Sequence, residues 1–165
     1  MPVEPISNYG KFKAEAERIV AAARVPNITL RLANVYGPRQ RQDLEGGVIA
    51  IFVGCWRRGE KLVVYGDGTA QRDYIYVGDV ADAVLASFAG TWKGVYNIGT
   101  GTATSVNDLI AALSEILGPP PGITKAPERP GETQRSCVDA SKADRDGLWR
   151  LRTPLRVGLR MSARD

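Results

Sequence analysis

Apolar side chains return at helical spacing near the start of the chain and again before its middle. Between residues 9 and 24 they recur every three or four positions, and Pro26 follows, which predicts a helix that ends before the proline. The apolar stretch 48–58 predicts a second helix that stops at Gly59. The two predicted helices flank a β-branched segment.

Two further helices are predicted after these. The stretch 105–117 has the clearest pattern, because Ser105 and Asp108 have the spacing of a capping box and Gly118 follows. An earlier helix is predicted to begin with Asp79 as its N-cap, since a short carboxylate side chain can accept from the first free backbone N–H groups.

Runs rich in β-branched and aromatic residues predict strands between the helices. The segment "NITLRLANVYG" predicts one buried strand, and "EKLVVYGDGTAQRDYIYV" predicts two short strands joined at Asp67-Gly68. Further strands are expected in "GVYNIGTG" and "ITKAPERPGET", and the tail is predicted to be helical with a break at Pro154. This alternation predicts an α/β fold with at least one parallel crossover.

Composition narrows the possible functions. The 165 residues include 22 Lys and Arg, 18 Asp and Glu and no histidine, which gives a net charge of +4. This excess suits an anionic ligand such as a nucleotide diphosphate, but the arginines are too dispersed to predict a nucleic-acid-binding protein. No metal site is predicted, because histidine is absent and Cys55 and Cys137 lack paired spacing.

The sequence also predicts a location. The first residues lack the basic and apolar segments of a signal peptide, and no apolar run approaches the roughly 20 residues that span a bilayer. We therefore expect a cytoplasmic protein without membrane contact, in which Cys55 and Cys137 are reduced thiols.

Tyr9 and Lys13 are the first candidates for chemistry. Residues four apart share a face of a helix, so both side chains are expected to point into one cleft. A phenol has a reference pKa of about 10, and a neighbouring ammonium lowers the pKa of a phenol, which improves it as a base. The alternative is a tyrosine packed on the core beside a solvated lysine, and the spacing alone does not decide between the two.

Four motifs in a fixed order decide the interpretation of this pair. The segments "YGKFK", "LRLANVYGPRQ", "VYGDGTAQRDYIYVGDVADAV" and "YNIGTG" together resemble the extended short-chain dehydrogenase/reductase family, and within it the nucleotide-sugar epimerases of the UDP-glucose 4-epimerase type. The resemblance implies NAD as cofactor. It implies that Tyr9 is the catalytic base, that Lys13 binds the nicotinamide ribose, and that Leu32 contacts the same cofactor.

The resemblance also assigns substrate-binding residues. By position, Asn34, Arg72 and Arg129 contact the diphosphate of a nucleotide sugar, for which an amide and two guanidinium groups are suitable partners. A turn-forming asparagine and solvated surface arginines are the alternatives. The segments that correspond to the nucleotide-base site contain Val48, Val64 and Tyr65.

The same resemblance predicts a partial cofactor domain, because the sequence contains no glycine-rich βαβ fingerprint for the NAD pyrophosphate. We expect the C-terminal part of a Rossmann-like doubly wound parallel sheet plus a small α/β substrate-binding domain. Residues 1–37 are predicted to form the tail of the NAD-binding domain and 38–165 mainly the nucleotide-sugar-binding domain, with 72–100 returning partly to the Rossmann sheet. Such a piece leaves a sheet edge uncovered.

The implied activity is epimerisation of a UDP-hexose at C4 through a 4-keto sugar intermediate. A 4,6-dehydratase or a decarboxylase of the same family shares these motifs and is the first alternative. A catalytically inactive fragment that only binds nucleotide sugars is the second. For a full-length member of the family, the resemblance also implies a homodimer.

Overall fold

The computed structural model describes residues 4–5, 7–42 and 47–164. The remaining positions of the predicted domain ranges (1–3, 6, 43–46 and 165) lie outside the described residues. The helices are α1 (Asn8–Ala21), α2 (Val48–Arg58), α3 (Val77–Ala89), α4 (Val106–Leu117), α5 (Ser141–Arg145) and α6 (Leu155–Ser162). The strands are β1 (Ile28–Leu32), β2 (Asn34–Tyr36), β3 (Leu62–Tyr65), β4 (Gln71–Tyr76), β5 (Gly94–Ile98), β6 (Ala103–Ser105), β7 (Ile123–Ala126) and β8 (Arg135–Ser136).

Local sequence signals explain where three of the helices begin or end. At the start of α1, Ser7 Oγ accepts a hydrogen bond from the Gly10 N–H at 3.0 Å. The predicted stop of α2 is confirmed, since Gly59 is its C-cap with a φ of 67° in the left-handed region. The predicted capping box of α4 is also confirmed: Ser105 Oγ accepts from the Asp108 N–H at 3.0 Å, and the Asp108 carboxylate accepts from the Ser105 N–H at 3.3 Å.

The prediction that Asp79 caps α3 was wrong. The helix begins two residues earlier, at Val77, and its N-cap is Tyr76. The Asp79 side chain is buried and accepts a hydrogen bond from the backbone N–H of Thr153 at 3.0 Å. Its carboxylate is therefore engaged by the C-terminal segment instead of by its own helix.

Within the described residues the strands form three small sheets, and their pairing differs from what the order of strands along the sequence predicts. The segment predicted as one strand divides at Ala33 into β1, which pairs parallel with β5, and β2, which pairs parallel with β4. The division is fixed by pairing, because the Ala33 N–H donates to Ile98 O at 2.9 Å before the chain passes to the second sheet.

The two strands on either side of Asp67-Gly68 are not paired with each other. β3 pairs parallel with β7, whereas β4 pairs with β2, β6 and β8. The turn between them packs on the start of α4 instead, where the Asn107 N–H donates to Gly68 O at 3.0 Å.

The tail is only partly helical. Two short helices, α5 and α6, are separated by an irregular segment that ends at Pro154. Within this segment, Trp149 is buried and donates from Nε1 to Asp79 O at 2.8 Å. The break that the proline predicts is confirmed, but most of the residues before it are held by tertiary contacts rather than by a helix.

Two hydrophobic clusters lie on opposite faces of β4. Tyr74 and Tyr76 belong to a cluster formed mainly with α2, β3 and α4, whereas Ile75 belongs to a cluster formed with β5, α3 and the tail. Side chains alternate across a strand, so the central strand joins both clusters. Among the described residues, no helix has the length and apolar character needed to cross a membrane.

Candidate functional site

A cavity of about 580 Å³ lies between α2, the ends of β2, β3 and β4, and the loop that follows β7. This volume is in the range of small-molecule sites, which run from roughly 300 to 1,000 Å³. The lining contains all the side chains that the sequence assigned to a nucleotide sugar: Asn34, Val48, Val64, Tyr65, Arg72 and Arg129. The first and the last of these residues in the sequence, Asn34 and Arg129, are 95 positions apart, and the fold brings both to one opening.

Arg72 forms the inner basic wall of the cavity. It lies on β4, and only 18% of its side chain is exposed. Its Nη2 donates to Glu132 Oε1 at 3.1 Å, and its Nη1 donates to the Gln71 carbonyl at 2.9 Å. The guanidinium is therefore held from two sides before any ligand enters.

A tight turn after β7 supplies the partner of this arginine. The Glu132 N–H donates to Arg129 O at 3.2 Å, with Pro130 and Gly131 between them. Gly131 has a φ of 75°, and proline followed by a left-handed glycine is the arrangement of a type II turn. The turn places a cation and an anion three positions apart on the same cavity wall.

Arg129 lies over an aromatic ring. The carbon at the centre of its guanidinium is 3.9 Å from the centroid of the Tyr65 ring, which is within cation–π distance. Hydrogen bonding to Tyr65 raises the pKa of Arg129, so the group stays cationic. Tyr65 ends β3 and is 40% exposed, and one face of its ring is covered by the arginine.

The opposite wall is apolar and comes chiefly from α2 and β3. Its side chains are Val48, Ile51, Phe52, Val63 and Val64. Tyr74 closes the floor, and burial raises the pKa of its hydroxyl to about 12, so this hydroxyl remains protonated near neutral pH. A cavity with an apolar wall and a basic wall suits a ligand that carries both a flat ring and an anion.

Tyr9, Lys13 and Leu32 do not line this cavity. Tyr9 and Lys13 share a face of α1, where Lys13 Nζ lies 5.4 Å from the centroid of the Tyr9 ring, and Tyr9 is 72% exposed. Leu32 ends β1 and is 44% exposed. The structure thus brings the predicted acid–base pair together on one helix, apart from the cavity that holds the predicted substrate residues.

The predicted cofactor residues match one end of a dinucleotide. An ammonium donor, a phenol and an apolar side chain at the end of a parallel strand are suitable neighbours for a ribose and its nicotinamide ring. No glycine-rich pyrophosphate loop occurs in residues 4–5, 7–42 or 47–164. The fit is therefore to the nicotinamide end alone. The described residues also contain no group of three His, Cys, Asp or Glu side chains able to hold a metal ion.

Two acidic residues near the site were not assigned a role from sequence. Glu132 was visible only as a neighbour of Arg129, and its pairing with Arg72 depends on the tertiary fold. Asp73 is 1% exposed and accepts hydrogen bonds from the N–H groups of Thr100 and Gly101 at 2.9 and 3.1 Å. The available signal was a carboxylate next to the apolar and aromatic half of a predicted strand, because a buried carboxylate requires partners.

Comparison with known proteins agrees with this architecture. Residues 1–99 match the model of the NAD dependent epimerase/dehydratase family. The chain is 34% identical over 164 residues to UDP-glucose 4-epimerase from Mycolicibacterium smegmatis, and the match covers 96% of this chain and 52% of the relative. It is 36% identical over 176 residues to dTDP-glucose 4,6-dehydratase from Neisseria gonorrhoeae, covering 96% of this chain and 50% of the relative.

A solved structure shows the same fold. UDP-glucose 4-epimerase from Thermotoga maritima, determined with UDP-glucose, superposes with a TM-score of 0.92 at 38% identity, covering 98% of this chain and 53% of that chain. The predicted α/β architecture, the C-terminal part of a Rossmann-like fold, is thereby confirmed. The chain spans about half the length of the curated relatives it matches. It belongs to the NAD dependent epimerase/dehydratase family.

Proposed function

We propose that this chain carries the nucleotide-sugar-binding part of an NAD-dependent epimerase of the UDP-glucose 4-epimerase type. The observation that carries the proposal is the cavity itself, whose apolar wall faces two guanidinium groups, Arg72 and Arg129. A nucleoside diphosphate has a flat base and an adjacent anion, and arginine is the side chain best suited to bind phosphate oxygens in pairs. The relative crystallised with UDP-glucose supports this class of ligand.

In this proposal each residue has a separate task. Arg72, Arg129 and Asn34 hold the diphosphate, while Val48, Val64 and Tyr65 border the base. Tyr9 takes the proton of the sugar C4 hydroxyl, and Lys13 holds the ribose of the cofactor next to it. NAD, when bound, supplies the hydride acceptor that allows C4 to become a ketone and then to be reduced from its other face. The two hydrophobic clusters support a division of the chain into a cofactor part around β1 and β5 and a substrate part around α2 and β3.

Binding is tested by isothermal titration of the 165-residue chain with UDP-glucose, with GDP-mannose as the control for the base. We expect saturable binding of UDP-glucose and markedly weaker binding of GDP-mannose, because the purine is larger than the site proposed for a pyrimidine. Equal affinity for both, or no binding of either, would contradict the assignment of the cavity to a uridine nucleotide.

A second candidate is favoured by the relatives. The chain is 36% identical to a dTDP-glucose 4,6-dehydratase and 34% identical to a UDP-glucose 4-epimerase, so its likeness to the family supports either activity. Incubation of the protein with NAD and either UDP-glucose or dTDP-glucose, followed by product analysis, separates the two: epimerisation yields the C4 epimer, and dehydration yields a 4-keto-6-deoxy sugar.

A further inference from the structure

The contact between Arg129 and Tyr65 assigns this tyrosine a role different from a platform for the nucleotide base. The sequence placed Tyr65 beside the base, yet the guanidinium of Arg129 covers one face of its ring at 3.9 Å. We propose that Tyr65 is a positioning residue for Arg129, and that it aligns the guanidinium with the diphosphate. This inference rests on the proposed function of the cavity. It adds Tyr65 as a residue that affects diphosphate binding through Arg129.

Strand pairing explains why the two residues meet. Tyr65 is in register with Ala126 of β7, and the Gly66 N–H donates to Ala126 O at 2.8 Å, so both strands end at the same level. The loop that leaves β7 then passes over the end of β3. Glu128 lies in this loop and borders Gly66, where an added Cβ would be 3.7 Å from the Glu128 Cβ. The contact is therefore a direct result of parallel pairing.

Arg129 needs such support because its own surroundings are open. It is exposed, and it lies on a loop, whereas Arg72 is on a strand and has two hydrogen-bond partners. An arginine side chain loses considerable rotational freedom when it binds an anion. Stacking on a ring removes part of that freedom in advance and leaves the N–H edge of the guanidinium open to phosphate oxygens.

The experiment compares two probes that differ only in the diphosphate. UDP and uridine share the base and the ribose, and their affinities for the chain are measured by titration and by saturation-transfer NMR. Tyr65→Leu removes the ring and keeps an apolar side chain, whereas Tyr65→Phe keeps the ring and removes only the hydroxyl, so the pair separates the ring contact from the hydrogen bond to Arg129. We expect Tyr65→Leu to weaken UDP about two- to fivefold, the range given by exposed cation–π contacts, and to leave uridine unchanged. Tyr65→Phe is expected to lose less UDP affinity than Tyr65→Leu, because it keeps the ring under the guanidinium and removes only the hydroxyl that hydrogen-bonds Arg129.

The role through Arg129 is tested by combining substitutions. In an Arg129→Met background, Tyr65→Leu is expected to cause no further loss of UDP affinity, because its effect requires the arginine. An equal loss of uridine and UDP affinity in Tyr65→Leu would overturn the proposal and show that the ring contacts the base. A further full loss of UDP affinity in the Arg129→Met background would also overturn it.

A measurement without ligand keeps this inference separate from the proposed function. Urea unfolding of the two single variants and the double variant yields the coupling between Tyr65 and Arg129, which we expect to be favourable. Zero coupling would overturn the positioning role even if UDP binds. If the coupling is present but the unsubstituted chain binds neither UDP nor UDP-glucose, the proposed function fails, and the inference that depends on it fails for that reason.

Discussion

Glu132 Oε1 accepts a hydrogen bond from Arg72 Nη2 at 3.1 Å, although the two residues are 60 positions apart in the chain. The pair joins the loop after β7 to the central strand β4, and both side chains are less than one-third exposed. It therefore fixes the basic wall of the cavity at two points of the fold rather than at one.

Replacement of Glu132 by alanine is expected to destabilise the protein. The change leaves the partly buried Arg72 guanidinium without its carboxylate, and leaving such a group unsatisfied costs about 1–3 kcal/mol. The free energy of unfolding in urea measures the loss. Glu115→Ala is the matched control, because Glu115 pairs with Arg156 where both side chains are more than half exposed. Equal losses of unfolding free energy in the two variants would show that burial of the Arg72–Glu132 pair does not increase its contribution to stability.

Removal of either cavity arginine is expected to weaken binding of UDP. In the proposed complex, Arg72→Gln and Arg129→Gln each delete charge-assisted hydrogen bonds to phosphate, for which we expect about a tenfold or larger loss of affinity. Isothermal titration with UDP checks the prediction. Arg160→Gln removes the same charge from the exposed side of α6, outside the cavity, and should leave the affinity nearly unchanged. A similar loss in all three variants would indicate a general effect of net charge.

The Glu17–Arg31 pair is expected to make stability depend on pH. Arg31 donates to both carboxylate oxygens of Glu17, at 2.8 and 2.6 Å, and joins α1 to β1, although α1 has no buried residue. In the folded protein, hydrogen bonding to Arg31 lowers the pKa of Glu17 below its ordinary value of 4.5. The stabilisation is therefore complete above the unfolded pKa and is lost as the pH falls through the folded pKa.

Glu17→Gln tests this dependence. Near neutral pH we expect a loss of about 0.5–1 kcal/mol, because Arg31 is partly exposed and solvent screens the pair. At about pH 3 the difference between the variant and the unsubstituted chain should be smaller than near neutral pH, since protonation of the carboxylate weakens the pair as the pH falls below 4.5. Urea unfolding at the two pH values measures the difference. Glu15→Gln, which disrupts an exposed pair with Arg18 within the same helix, should show a smaller dependence. A constant difference at both pH values for Glu17→Gln would contradict the prediction.

Asp73→Asn is expected to be among the more destabilising conservative changes in the chain. The two carboxylate oxygens of this buried residue accept from the N–H and the hydroxyl of Thr100 and from the N–H groups of Gly101 and Val138. An amide replaces one acceptor oxygen by a donor that then faces N–H groups, which costs about 2–3 kcal/mol.

The control for this change is Asp139→Asn. Asp139 is exposed and accepts from the Ser141 N–H at 2.9 Å, so the amide oxygen can replace the carboxylate there. We expect its midpoint of unfolding in urea to stay close to that of the unsubstituted chain. A comparable shift in both variants would mean that burial of Asp73 does not determine the cost.

Sequence patterns predicted those features that depend on near neighbours in the chain. The ends of α2 and α4 followed from Gly59 and Gly118, because glycine adopts backbone conformations that end helices at little cost. The division at Ala33 did not follow, since the hydrophobic pattern of a strand does not state which strand will pair with it. The prediction that Asp79 is an N-cap failed for a related reason. Its position in the sequence suits a cap, but its carboxylate accepts from the backbone N–H of the distant Thr153.

The candidate site shows the same limit. Family resemblance assigned a set of residues to substrate binding, and these residues line one cavity. This was predictable because proteins that share the motifs in the same order share the fold. The contacts that hold Arg72 and Arg129 were not predicted. Both bring together residues about 60 positions apart, and neither a helical nor a strand repeat encodes such a contact.

The position of β4 has a consequence for how the molecule opens. Tyr74 and Tyr76 pack in one hydrophobic cluster and Ile75 in the other, and the backbone of β4 is hydrogen-bonded to three other strands. Because both clusters pack against this one strand, we expect them to unfold together as one cooperative unit. The amide protons of Tyr74 and Ile75 should then be among the slowest to exchange with deuterium, and their exchange should report the global opening of the chain.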